Sequence, residues 1–129
     1  MSDNTLPQGG YLRATDARVD VFDWGRLEWM VSAAIGNSEV LTLGRCFIHP
    51  GMGNPMHYHP NCDEALHVVR GSIRKHVAGE FFDMGPGDTI SIPKGALHRA
   101  ENIGEDECEL VICYDNARRE VVGEGLSSS

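Results

Sequence analysis

Hydrophobic and polar positions alternate along most of the chain in short runs, each ended by a turn rich in glycine, proline or asparagine. Arg18 to Trp24 sets Val19 and Val21 two apart. After Gly25, Arg26 to Ser32 sets Leu27, Trp29 and Val31 on one face, so the two runs read as a hairpin. Gly36-Asn37-Ser38 is a turn cluster, and Val40 to His49 is a run of β-formers that stops at Pro50-Gly51. Further runs follow at His57-Tyr58-His59, Glu64 to Val69, Ile73 to Ala78, Glu80 to Met84, Thr89 to Pro93, Leu97 to Asn102 and Glu107 to Asp115. A 3.6-residue period competes only weakly, over 116–120. Short strands at this spacing predict an all-β sandwich or barrel, with 1–17 as an irregular arm, 18–116 as the barrel and 117–129 as a partly disordered tail. Phe47, Leu66, Val68, Phe82, Ile90, Ile92, Leu110 and Ile112 are the expected core, while Trp24, Trp29 and Val69 read as outward apolar residues that a homodimer would cover.

Composition narrows the function more than the fold. At 129 residues the chain is expected to form one domain. A formal charge of -8, with no basic run longer than Arg118-Arg119, excludes the Lys/Arg surface that nucleic acid or an acidic membrane requires. The first ten residues, MSDNTLPQGG, lack the basic and apolar regions of a secretory signal, and no apolar run is long enough to cross a bilayer. A soluble, cytoplasmic protein with a small-molecule partner is the expectation. Cys46, Cys62, Cys108 and Cys113 show no CxxC spacing and read as free packed thiols, although Cys62, between His59 and Glu64, could serve the nearby site.

The chemistry concentrates between Gly51 and Gly71, GMGNPMHYHPNCDEALHVVRG. Side chains two apart on a strand share a face, so His57 and His59 aim two imidazoles at one place while Tyr58 points away. Glu64 opens the next strand after a Pro60-Asn61 turn. Two imidazoles and a carboxylate converging in this way suit a divalent transition metal. A second stretch, GDTISIPKGALHRAEN from Gly87 to Asn102, supplies His98 just after a Pro93-Lys94-Gly95 turn.

Together the two stretches resemble the paired motifs of the cupin superfamily. Gly51, His57, His59, Glu64 and Gly71 fill the first, and Gly87, Pro93, Gly95, His98 and Asn102 fill the second. The resemblance implies a double-stranded β-helix, or jelly-roll-like, barrel and a single cation held by His57, His59, Glu64 and His98. Fe(II) is favoured as that ion, with Mn, Zn and Ni as alternatives. It further implies a small metal-dependent enzyme acting on a small carbonyl- or enol-type substrate, foremost by Fe(II) dioxygenase-like chemistry with Glu64 also serving as base. A cyclase, isomerase or lyase of polyketide or sugar type, and a binding domain without catalysis, stay open. Arg45 and Phe47 share a face of their strand; if that face lines the cavity, they are candidate substrate contacts, Arg45 pairing with a carboxylate. His49, His67 and His76 are expected outside the site.

Overall fold

The structure is a computed structural model and describes residues 10–123. After a single 3₁₀ turn at Ala14–Asp16, eleven strands follow: β1 (Arg18–Phe22), β2 (Gly25–Val31), β3 (Thr42–Ile48), β4 (His57–Tyr58), β5 (Glu64–Arg70), β6 (Ile73–Val77), β7 (Glu80–Met84), β8 (Thr89–Ile92), β9 (His98–Asn102), β10 (Cys108–Tyr114) and β11 (Val122–Gly123). They form one sheet in the order β1-β2-β3-β10-β5-β8 and a second in the order β11-β4-β9-β6-β7, every pairing antiparallel. The expected barrel is thus built as two sheets of a jelly-roll sandwich rather than as one closed sheet. No helix among the described residues is long and apolar enough to cross a membrane.

Alternation decides which side chains enter the space between the sheets. On β5, Glu64, Leu66 and Val68 are buried while Ala65, His67 and Val69 are exposed. On β10, Cys108, Leu110, Ile112 and Tyr114 point inward, and on β9 His98, Ala100 and Asn102 do. Phe82 departs from the expected core: β7 is a sheet edge, and the ring is 45% exposed. Trp24 and Trp29 depart the other way. Trp29 shares the buried face of β2 with Gly25 and Leu27, and its indole N–H donates to Asp20 at 3.0 Å, so both the ring and its polar atom are satisfied inside. Trp24 is buried with its ring stacked on Phe22 at 4.8 Å. Of the three residues expected to face a partner copy, Val69 alone is exposed.

Gly71, between β5 and β6, shows why a motif glycine stands there. Its φ is +94°, and a Cβ would lie 2.7 Å from the Cys108 Cβ, so both backbone conformation and space demand glycine. At the other end of the fold, the first residues of the expected tail are part of the structure. Ala117, Arg119 and Val121 are buried, and β11 pairs with β4, setting Gly123 opposite His57. The remainder of that tail, 124–129, and residues 1–9 of the expected arm lie outside the described residues.

Candidate metal centre

Register brings the imidazoles together. His57 on β4 is the direct partner of His98 on β9, and their rings sit 4.2 Å apart. His59 follows β4 with its ring 5.1 Å from that of His57 and 5.2 Å from that of His98. Glu64, at the start of β5 opposite Tyr114, enters from the other sheet. Four ligand atoms, one each from His57, His59, Glu64 and His98, lie within 4.8 Å of one another, and all four residues are buried.

The ring orientations are set from behind. His57 Nδ1 is 2.7 Å from the Pro55 carbonyl, His59 Nδ1 is 2.8 Å from the Glu120 carbonyl and His98 Nδ1 is 3.0 Å from the Ala96 carbonyl. A carbonyl only accepts, so each Nδ1 carries a proton and Nε2 is the nitrogen each ring has left to offer a metal. The Nε2 atoms of His59 and His98 each lie 3.2 Å from Glu64 Oε1. All three atoms are buried without a hydrogen-bond partner. Two ring nitrogens and a carboxylate oxygen this close in a buried space need positive charge among them, a proton in the metal-free protein or a metal ion in its place. Backbone carbonyls fixing the tautomer, with Nε2 lone pairs facing a carboxylate oxygen, constitute a donor set for a divalent transition metal.

The surroundings tune these groups. Burial, reinforced by His98, pulls the His57 imidazole down to about 3 against the opposing bond to Pro55, so it is neutral at pH 7. For Glu64, burial alone pushes the carboxyl up; the approach of His59 and His98, with Lys75 beyond them, outweighs it and holds the group well below the ordinary carboxylate range. Burial, with Glu64 nearby, pushes the Tyr114 phenol well above its usual value.

Beside the centre lies a cavity of about 30 Å³. His57 and Glu64 form part of its wall, Trp24, Leu27, Leu66, Leu110 and Ile112 supply apolar lining, and Asn54, Lys75, Tyr114 and Arg119 supply polar groups. Sequence reasoning placed none of those last four in the site. Lys75 and Tyr114 were open to it by parity, since each sits an even number of residues from a buried apolar position, Ile73 or Ile112. Arg119 lies outside any strand and had no such signal.

Arg45 and Phe47 are on the other side of their sheet. Cys46 lines the cavity and Ile48 joins the core, so by alternation Arg45 and Phe47 face away. Arg45 bonds Glu28 at 3.0 Å and approaches Glu109 at 3.7 Å, and Phe47 is covered by the Arg26 guanidinium, 3.8 Å from the ring centre. Neither lines the cavity beside the centre. The histidines expected elsewhere are elsewhere: His49 lies 3.8 Å from Glu107, His67 bonds the Thr89 hydroxyl at 2.7 Å and His76 pairs with Glu101 at 2.6 Å. Cys62 is buried in the core cluster, and burial pushes its thiol up to about 11, which keeps it protonated and inert.

Comparison with known proteins agrees with this geometry. Germin-like protein 3-8 of Oryza sativa subsp. japonica is 32% identical over 94 residues, which are 69% of this chain and 42% of that protein. Oxalate oxidase GF-3.8 of Triticum aestivum is 28% identical over 111 residues, 79% of this chain and 47% of that one. The solved structure of Bacillus subtilis oxalate decarboxylase, a protein with Mn(II) centres, matches with a TM-score of 0.78 at 21% identity, covering 87% of this chain and 31% of that one. The chain therefore spans less than half the length of each of these three proteins. The family model described as the cupin domain matches residues 44–114, more than half of the chain and all four converging ligands, and the protein belongs to the cupin family.

Proposed function

We propose that this protein is a metal-dependent oxidoreductase of the cupin family that acts on a small oxygenated substrate bearing a carboxylate, with Fe(II) or Mn(II) held by His57, His59, Glu64 and His98. The observation that carries the reading is the set of buried, bond-free donor atoms at His59 Nε2, His98 Nε2 and Glu64 Oε1, already turned toward one point. The likeness to an oxalate oxidase supports oxidative chemistry, and the Mn(II) centres of the oxalate decarboxylase set Mn(II) beside Fe(II).

When bound, the ion supplies Lewis-acid polarisation of a substrate oxygen and a redox centre. The chain supplies everything else. His57, His59 and His98 hold position through their carbonyl bonds and contribute neutral nitrogens. Glu64, ionised, completes the donor set and serves as the base that takes a proton from the substrate. Leu27, Leu66, Leu110 and Ile112 keep bulk water from the cavity. The cavity's size favours a substrate of a few atoms: about 30 Å³ is far below the few hundred Å³ typical of pockets for larger ligands, which disfavours a polyketide or a sugar.

Metal analysis of freshly purified protein, followed by oxygen-uptake assays of Fe(II)- and Mn(II)-loaded samples on small carboxylic acids, diketones, catechols and thiols, tests the reading. One ion per chain and uptake with a small acid are expected. Absence of uptake across all panels eliminates the oxidoreductase.

A further inference from the structure

Lys75 is a lysine where the fold calls for an apolar residue. It lies on β6, directed inward like Ile73, and only 1% of it is exposed. A buried ammonium is costly without an opposite charge; the Glu64 carboxylate supplies one by long-range attraction, working against the burial that disfavours the charged form. Its side chain borders the same small cavity as Glu64 and His57. A second buried cation, Arg119, lines the same cavity, its guanidinium 4.6 Å from the centre of the Trp29 ring and hydrogen-bonded to the Tyr114 hydroxyl.

We infer that Lys75 and Arg119 form an anion subsite that receives the carboxylate of the substrate and orients its remaining atoms toward the His57–His59–Glu64–His98 centre; the inference rests on the functional reading above and assigns its specificity. Charge argues for it. Among the described residues Glu64 is the one carboxylate lining the cavity, so its lining groups alone, an ammonium and a guanidinium against one carboxylate, carry one positive charge in excess before an ion is bound. A divalent ion raises the excess to three. A monoanionic carboxylate neutralises the first state, and a dianion brings the loaded state down to a single charge. Size argues for it as well. About 30 Å³ is roughly twice the space one buried water needs, enough for the two oxygens of a carboxylate group. The apolar wall of Leu27, Leu66, Leu110 and Ile112 leaves the cations as the strongest recognition elements, and it excludes the water that would weaken them.

The test uses the full chain, both metal-free and Mn(II)-loaded, with formate as probe and formamide as its uncharged counterpart of similar size. Titration calorimetry is expected to show formate binding to both forms, more tightly to the loaded one, and formamide binding to neither. Lys75→Met, which keeps the length of the side chain, is expected to weaken formate binding by about tenfold or more. It should leave metal content unchanged. Equal binding of formate and formamide, no formate binding to either form, or a Lys75→Met protein that binds formate within threefold of the parent overturns the subsite. If Lys75→Met does not fold, the formate and formamide comparison on the parent protein decides alone. Failure of the metal reading looks different: no ion is retained, yet the metal-free protein still binds formate.

Discussion

Asn61 touches none of the converging donor atoms, yet its replacement by alanine should weaken metal binding. Asn61 Nδ2 donates to the Arg118 carbonyl at 2.8 Å, and its Oδ1 accepts the Glu120 amide at 3.0 Å. A third approach, to the Glu120 carboxylate, is longer at 3.3 Å and adds little. These bonds fix the segment whose Glu120 carbonyl holds His59 Nδ1 at 2.8 Å. Two exposed bonds, each at the low end of a hydrogen bond's net worth, contribute together about 1–2 kcal/mol. If all of it is spent on holding Glu120, its loss lowers metal affinity by about 5- to 30-fold. The magnitude agrees with the ordinary cost of losing a group that orients a metal-bound histidine, about 10- to 100-fold. Mn(II) titrations in competition with a chelator measure the effect. Asn37→Ala is the control: Asn37 bonds the Ser32 amide at 3.1 Å and the Met30 carbonyl at 2.9 Å, the same chemistry, with no bond to the four ligands or their carbonyl partners. Both variants should lose comparable stability, and only Asn61→Ala should lose metal. Metal affinity within twofold of the parent in Asn61→Ala, alongside a Tm loss equal to that of Asn37→Ala, refutes the reasoning.

Three further outcomes are expected. His98→Ala, which removes a donor 3.2 Å from Glu64, should purify with less than about a tenth of the parent's metal by elemental analysis, and full occupancy would contradict the centre. His57 is held neutral with a folded value of about 3 against 6.5 unfolded, and Glu64 is also depressed, so the unfolded chain binds more protons as pH falls below 6.5. The metal-free protein should therefore lose up to about 1.4 kcal/mol per pH unit from His57 alone between pH 6.5 and 3, with Glu64 adding to the loss below about 4.5; urea midpoints that stay flat from pH 7.5 to 5 would disprove this. Gly71→Ala forces a Cβ to within 2.7 Å of Cys108 at a φ of +94°, and a loss of about 2 kcal/mol or more is expected in urea unfolding, a parent-like midpoint being the contrary result.

The ligands were legible in the sequence because their spacing is local: His57 and His59 share a face by strand parity, and Glu64 follows one turn later. Parity did not say which face of β3 is the inner one. Cys46, Phe47 and Ile48 are all apolar and all buried, so the run reads equally well from either side; Arg45 is a candidate substrate contact only on the condition that its face lines the cavity, and that condition is not met. Trp29 was misplaced for a related reason. A tryptophan read as outward-facing looks like an interface residue until Asp20 is known to take its N–H. Arg119 and the two-residue strand β11 were invisible: neither carries a period, and both take their places through contacts with residues far away along the chain.

The bond between His59 and Glu120 spans 61 residues. A chain emerging from the ribosome exposes its histidines and Glu64 long before the carbonyl that steadies His59 has been synthesised. Until then nothing fixes its tautomer or its rotamer from behind. The orientation of His59 is thus written by residues at opposite ends of the domain, and it is complete only when Arg118 and Glu120 have seated against Asn61.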